Sequence, residues 1–402
     1  MSNLLPVLHP VNGFRLGTTS AGIKTPGRPD LVVMEIVAGS TTTAVFTQNA
    51  FCAAPVRVAR EHLAQQQPGY LLVNTGNANA GTGDPGIRDA RQCCVALAGY
   101  AGCSSQAVLP FSTGVIGEPL PVDKIQKNLP SALQQLDEDG WAAAATGILT
   151  TDTVPKGTSK RIVLDGKTVT ITGISKGAGM IRPDMATMLA FIATDAALEH
   201  DVLHACLSDA SEKSFNRITV DGDTSTNDAC VLIATGKSGA PVVTRDSVNY
   251  ELFCAAVTEV CVQLAQAIVR DGEGATRFVT VAVDGGESTD ECLQVAYTIA
   301  HSPLVKTALF AGDPNWGRML AAVGRAGVSG LDLDNVQIYL DDVCIVQDGG
   351  RAPEYTEAAG QQVMDKDEIT IRVVLNRGDC AEEIWTCDLS YDYVKINAEY
   401  RT

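Results

Sequence analysis

The stretch KGAGMIRPDMATMLAFIATDA, Lys176 to Ala196, places threonines in an apolar setting, with ten residues from Met185 to Thr194 carrying no charge. By periodicity alone Thr187 reads as a β-branched residue of a half-buried strand. Its neighbourhood permits more. Gly177 and Gly179 allow close backbone approach or positive φ, Pro183 fixes the chain's entry and Ala186 is small, so the Ala186–Thr187 peptide can sit in a constrained turn. A hydroxyl in such a turn can attack the carbonyl of the preceding residue, and resolution of the ester leaves a new chain beginning with Thr187. Its own α-amine, with an unperturbed pKa of ~7.7–8.0, is then a general base for its hydroxyl, and no histidine is needed.

Other candidate sites fail on their context. GTGDPG, Gly81 to Gly86, matches a dinucleotide fingerprint. However, the preceding strand is expected to end near Val73, Asp84 would face the pyrophosphate, and no acid between Arg91 and Glu118 could hold a ribose hydroxyl. DGKT, Asp165 to Thr168, has Arg161 where a phosphate loop needs glycine, and a hairpin turn accounts for it. His200 and His204 have the i, i+4 spacing of metal-binding helices, but no third His or Cys completes a set, so a solvated helix face is expected and no metal is assigned. No GxSxG elbow or Ser-His-Asp order is present.

The elements that must position a reactive threonine follow from pattern. Alternation in DLVVMEIVAG, TAVFTQNAF and GYLLVNTG reads as strands. A helix follows, with Asp84 as N-cap, Pro85 at its first position and a face of Ile87, Ala90, Cys94 and Leu97. Helical PVDKIQKNLPSALQQL and DGWAAAATGIL precede a hairpin, RIVLDGKTVTITGI, turning at Asp165-Gly166. Helices are expected over EHDVLHACLSDASEKSF and YELFCAAVTEVCVQLAQAIVRD, and strands in the C-terminal third, including ITIRVVLNRGD and EEIWTCDLSYDYVKI. Interleaved helices and hairpins predict a mixed α/β (α+β) fold with mixed or antiparallel sheets covered by helices.

Composition narrows the function class. A net charge of −17 argues against nucleic acid or an anionic membrane as partner. Twelve dispersed cysteines without a CxxC pair, and an N-terminus without a basic start and long apolar core, suggest reduced thiols and a cytoplasmic chain. The longest uncharged stretch, Gln92 to Gly117, is interrupted by Gly99, Gly102 and Pro110, so no membrane segment is expected.

SKGAGMIRPDMATMLAFIATDA resembles the self-cleavage segment of the ornithine acetyltransferase family, the bifunctional glutamate N-acetyltransferases and amino-acid N-acetyltransferases of arginine biosynthesis. AGIK, FTQNAFCAAPV, VNTGNANAGTG, FSTGVIGEPLP, TTDTVPK, VDGDTSTND, VRDGEGATRF, AGDPNWGR and VKINAEYRT also occur in that family's order, covering essentially the whole chain. The resemblance implies a layered α-β-β-α sandwich and self-cleavage at Ala186–Thr187. An α chain of residues 1–186 and a β chain of 187–402 would pack as one catalytic unit, two of each forming a heterotetramer.

It further implies that Thr187 takes acetyl from N2-acetylornithine and passes it to glutamate, without a cofactor, and that bifunctional members also accept acetyl-CoA. Thr113 and Gly114 in STGV are carried over as the oxyanion hole, a role that suits a hydroxyl and a backbone N–H in a glycine turn. Thr150, Lys176, Thr187, Glu273, Asn397 and Thr402 are carried over as substrate contacts; a Lys and a Glu suit the carboxylate and ammonium of an amino acid. GDPNWGR receives no catalytic role, only a structural turn with a buried Trp316. A threonine amidohydrolase or aminopeptidase, with water as acceptor, and a non-catalytic amino-acid-binding protein are the alternatives.

Overall fold

The computed structural model describes residues 5–182 and 188–400; Ala186, Thr187 and Thr402 lie outside the described residues. The chain packs as two compact units, one of Met1–Asn216 with Asp223–Ile268, the other of Arg217–Gly222 with Val269–Thr402.

The first unit contains β1 (Phe14–Thr19), β2 (Leu31–Ile36), β3 (Thr41–Phe46), β4 (Tyr70–Asn77), β5 (Val108–Val115), β6 (Lys156–Leu164), β7 (Lys167–Lys176), β8 (Leu189–Thr194) and β9 (Ala229–Ala234). Its helices are α1 (Ala54–Gln65), α2 (Gly83–Ala101), α3 (Val122–Gln134), α4 (Trp141–Gly147), α5 (His200–Glu212) and most of α6 (Asn249–Arg270). Two sheets form, ordered β1-β2-β4-β5 and β3-β9-β8-β7-β6, each mixing parallel and antiparallel pairs.

Strand alternation builds the layers. β2 sends Val32, Met34 and Ile36 into one core and Leu31 and Val33 into another, the period of two that a pleated strand imposes. The first core also receives Phe191 and Ala193 from β8 and Val231 and Ile233 from β9, so it lies between the two sheets. There Phe111 and Phe191 meet edge to face at 5.2 Å. The second core joins the four-stranded sheet to α2 and α3 through Cys94, Leu97, Ile125 and Leu129. On the far side of the five-stranded sheet, Val260 and Leu264 of α6 close over Gly173, where a Cβ would stand 3.0 Å from Leu264. The expected α-β-β-α sandwich is therefore present. β7 and β8, which flank residue 187 in the chain, are neighbours in one sheet.

The second unit holds β10 (Phe278–Gly286), α7 (Thr289–Ala300), α8 (Pro303–Ala311), α9 (Trp316–Gly324), β11 (Gln337–Leu340), β12 (Val343–Gln347), β13 (Gly350–Arg351), α10 (Glu357–Met364), β14 (Glu368–Val374), β15 (Cys380–Cys387) and α11 (Tyr391–Glu399). Its sheet runs β13-β12-β11-β14-β10-β15 over one core that includes Val281, Ile299, Val323 and Ile371.

Several local expectations hold and others do not. Asp165 and Gly166 both adopt positive φ (47° and 77°) at the β6–β7 turn, as a two-residue hairpin requires. α2 begins two residues earlier than its Asp-Pro signal suggests: Thr82 takes the cap position, and Asp84 lies in the first turn, where its charge still suits the helix dipole. β4 continues past Val73 to Asn77. EEIWTCDLSYDYVKI is strand only to Cys387, because the Ser390 hydroxyl accepts the Tyr393 N–H and starts α11 against the strand propensity of its Tyr and Val residues. Trp316 is half-buried rather than buried, opening α9 beneath an Asn315 cap.

α6 is, by length and composition, apolar enough to cross a bilayer. Its burial is one-sided: Phe253, Val257, Val260, Leu264 and Ile268 are buried, whereas Glu251, Leu252, Ala255 and Glu259 are exposed. That stripe is the signature of a helix lying on a core.

Candidate active site

In the first unit the site grows from the C-terminal ends of β4 and β5. The parallel ladder pairs Thr75 with Thr113 and Gly76 with Gly114, and then slips at Asn77. Gly114 sits at φ 136°, and a Cβ there would lie 2.3 Å from the Gly76 carbonyl carbon. Only glycine fits that approach. The slip takes the backbone out of regular pairing beside Thr113, whose side chain is buried.

Lys176, the last residue of β7, reaches from the facing sheet. Its Nζ donates to Thr113 Oγ1 at 3.2 Å. Since the hydroxyl accepts from an ammonium, its own hydrogen points elsewhere, and a developing oxyanion is a suitable acceptor. Asn227, just before β9, ties the same end of the sandwich by donating to Ala78 O at 2.6 Å and to Ser112 O at 2.9 Å.

Beneath Lys176 lies a buried ion pair. Asp152 Oδ1 accepts from Lys156 Nζ at 2.7 Å and from the Gly177 N–H at 2.7 Å, while Oδ2 accepts the Thr150 N–H at 3.0 Å. Burial alone would raise the Asp152 carboxyl, but Lys156, Lys176 and the Thr150 N–H outweigh it and hold the group well below the usual carboxylate range. Thr150 is thus fixed in the same network as the backbone leaving β7.

A small cavity of about 30 Å³ opens here, lined among the described residues by Thr113, Lys176, Met188, Ser225, Asn227 and Asp228, together with the Gly179–Ile181 turn and Leu189. Met180 in that turn has φ 56°, a costly conformation for a side-chain-bearing residue and one that concentrates at functional sites. Asp228 is buried, and burial pushes its carboxyl well above the ordinary value, offset only in part by the Ser225 hydroxyl and the Lys176 charge.

In the second unit Glu273 is buried, and its Oε2 accepts from Asn397 Nδ2 at 2.8 Å. The loop after Glu273 is pinned by Asp388, which accepts the backbone N–H of Thr276 and of Arg277 at 2.8 and 2.9 Å.

Of the residues expected at the site, Thr113, Gly114, Lys176 and Thr150 therefore share one network in the first unit, and Glu273 and Asn397 pair in the second. Asp152, Lys156, Asn227 and Asp228 were not singled out by sequence. TTDTVPK and VDGDTSTND marked their segments, but nothing in the spacing distinguishes a buried Asp from a loop Asp. Among the described residues no group of three His, Cys, Asp or Glu side chains could hold a metal ion.

A buried hydroxyl bonded to a buried lysine, beside a glycine in close backbone approach at one end of an α-β-β-α sandwich, is a set of groups suited to acyl transfer. The model of the ArgJ family matches residues 15–402, and this chain belongs to that family. The arginine biosynthesis bifunctional protein ArgJ of Pseudomonas fluorescens (strain Pf0-1) is 62% identical over 401 residues, covering 99% of this chain and 98% of its own. Its counterpart from Methylococcus capsulatus is 59% identical over 395 residues, 98% of this chain and 97% of its own. The crystal structure of the arginine biosynthesis bifunctional protein from Bacillus halodurans is 37% identical with a TM-score of 0.50, covering 52% of this chain and 97% of the solved chain.

Proposed function

We propose that this enzyme of arginine biosynthesis cuts itself between Ala186 and Thr187 and then transfers acetyl from N2-acetylornithine to glutamate through an ester on the Thr187 hydroxyl. The freed α-amine of Thr187 takes the hydroxyl proton as Oγ attacks the acetyl carbonyl, and returns it to the departing ornithine amine. Thr113 Oγ and the Gly114 N–H receive the negative charge of the tetrahedral intermediate. Glutamate's amine then attacks the ester by the same steps in reverse, giving N-acetylglutamate. Lys176 and Glu273 supply charges of opposite sign for the amino-acid groups, with Thr150, Asn397 and Thr402 as orienting partners. No cofactor or metal takes part.

The observation that carries this reading is the Gly114–Thr113–Lys176 arrangement in a chain whose family match spans residues 15–402. The bifunctional name of its relatives supports acetyl-CoA as a second acetyl donor to glutamate. In this reading scission leaves chains of 1–186 and 187–402. Two copies of each chain assemble in the cytoplasm.

Denaturing mass analysis tests it. The wild-type protein should give two fragments divided at Thr187, the larger gaining one acetyl group on brief exposure to N2-acetylornithine. Thr187→Ala should remain whole and inactive. An intact wild-type chain with full turnover would refute the mechanism, and ornithine release continuing beyond one equivalent per active site without glutamate would make the enzyme a hydrolase.

A further inference from the structure

In the mature enzyme the α-amine of Thr187 serves as the base, but before scission that nitrogen belongs to an amide whose lone pair is delocalised into the carbonyl. Self-cleavage therefore needs another group to carry the hydroxyl proton to the departing nitrogen. Among the described residues lining the cavity, Lys176 has protons to give but its ammonium has no lone pair to receive one, and the hydroxyls of Thr113 and Ser225 are weak acids and weak bases. Asp228 differs. Its side chain is buried, and its Oδ2 has no hydrogen-bond partner among the described residues. Such an orphaned oxygen is uncommon in a native interior.

The strand register puts this carboxyl beside Met188, the residue that follows Thr187 in the sequence. β8 and β9 run parallel with Leu189 opposite Ala229, and the Ala229 N–H donates to Met188 O at 2.9 Å. One residue earlier on each strand stand Met188 and Asp228, both facing the cavity, and Met188 is the residue bonded to Thr187. Burial raises this carboxyl well above the ordinary value. In its protonated form it has an O–H to give and a second oxygen to accept.

Resting on Thr187 as the nucleophile, we propose that Asp228 relays the proton of self-cleavage. As the bond from Thr187 Oγ to the Ala186 carbonyl carbon forms, one Asp228 oxygen takes the hydroxyl proton. As the Ala186–Thr187 C–N bond breaks, the other oxygen gives its proton to the Thr187 nitrogen. The carboxyl begins and ends protonated, and the ester that results is hydrolysed by water to the Ala186 carboxyl and the free hydroxyl.

Cutting is followed on full-length chain, pulse-labelled during cell-free synthesis and resolved under denaturing conditions. Asp228→Asn keeps the shape but cannot relay a proton, and should cut at least ~100-fold more slowly than wild type, the lower end of what general acid–base catalysis contributes. Asp228→Glu should regain part of the rate. Equal cutting by Asp228→Asn and wild type overturns the proposal. So does Asp228→Glu being as slow as Asp228→Asn while both melt well below wild type, which makes the residue structural. Hydroxylamine releasing fragments from Asp228→Asn at the wild-type pace also overturns it, by placing the block at ester hydrolysis. An uncut wild-type chain would instead remove the function proposed above, so the two failures are distinct.

Discussion

The Asp152 carboxylate holds the Gly177 N–H at 2.7 Å with the same oxygen that receives Lys156. The backbone leaving β7 toward the segment proposed to be cut is thus anchored to an ion pair whose side chains are 0% and 1% exposed. Removing one partner of a buried pair strands the other, at a cost of ~3–5 kcal/mol, so Asp152→Asn should lower the unfolding free energy by about that amount. The pH dependence has a definite sign. An unfolded Asp titrates near ~3.9, and Asp152 is held lower in the fold, so its contribution is complete above that value and disappears as pH falls through the folded one. Asp228 is raised, so it acts oppositely, removing stability as pH climbs above ~3.9. The difference between wild type and Asp152→Asn cancels the Asp228 contribution. Denaturant unfolding should show that difference shrinking as pH drops below ~4; a gap constant with pH would disprove the assignment.

Thr113 and Gly114 make separable predictions. Thr113→Val removes the hydroxyl that Lys176 orients and should lower kcat ~10²–10³-fold, the loss of ~2.7–4 kcal/mol expected for one oxyanion donor. Thr113→Ser keeps the hydroxyl and should retain most of the rate. Gly114→Ala must push a methyl into the Gly76 backbone from a positive φ, so it should compromise folding itself. Steady-state kinetics with thermal melts distinguish these cases; a Thr113→Val enzyme turning over at the wild-type rate would remove the hydroxyl from the mechanism.

What the sequence discloses follows the range of each signal. The Asp165-Gly166 hairpin and the one-sided face of α6 are local, and both are present where their residues place them. The helices α7 to α10 interrupt a third of the chain read as strands, because their apolar residues meet a core assembled from distant segments. At the site, the fit of Gly114 depends on Gly76, thirty-eight residues away, and the bond between Lys176 and Thr113 spans two sheets. Family likeness could mark those residues, but only tertiary packing explains them. Asp228 had no spacing signal: what marks it is burial and an oxygen with no hydrogen-bond partner among the described residues.

Glu273 and Asn397 lie 124 positions apart in sequence but share a 2.8 Å hydrogen bond. Asn397 also donates to Tyr393 O at 3.0 Å, so the amide is fixed by its own helix while it holds the carboxylate. Asn397→Ala deprives a buried carboxylate of a donor, an interaction worth ~1.5–3 kcal/mol. If Glu273 binds the substrate ammonium, KM for N2-acetylornithine or glutamate should rise roughly tenfold or more with kcat little changed, the signature of lost uniform binding. Loss confined to kcat would place Asn397 in the chemical step instead.

His200 and His204 stack at 6.1 Å between ring centroids, and His204 Nδ1 shares a 2.8 Å hydrogen bond with Thr43 Oγ1. That engagement ties α5 to β3 and gives the i, i+4 pair a structural use. A metal ion would need further ligands, and the described residues offer no cluster of three. Prolonged dialysis against EDTA should therefore leave acetyl transfer unchanged. His204→Ala should cost about 0.5–1.5 kcal/mol of stability, the range for one hydrogen bond, without altering kcat. Activity lost on chelation and restored by zinc would overturn the reading, since the proposed chemistry asks of the protein only a hydroxyl, an amine and two oxyanion donors.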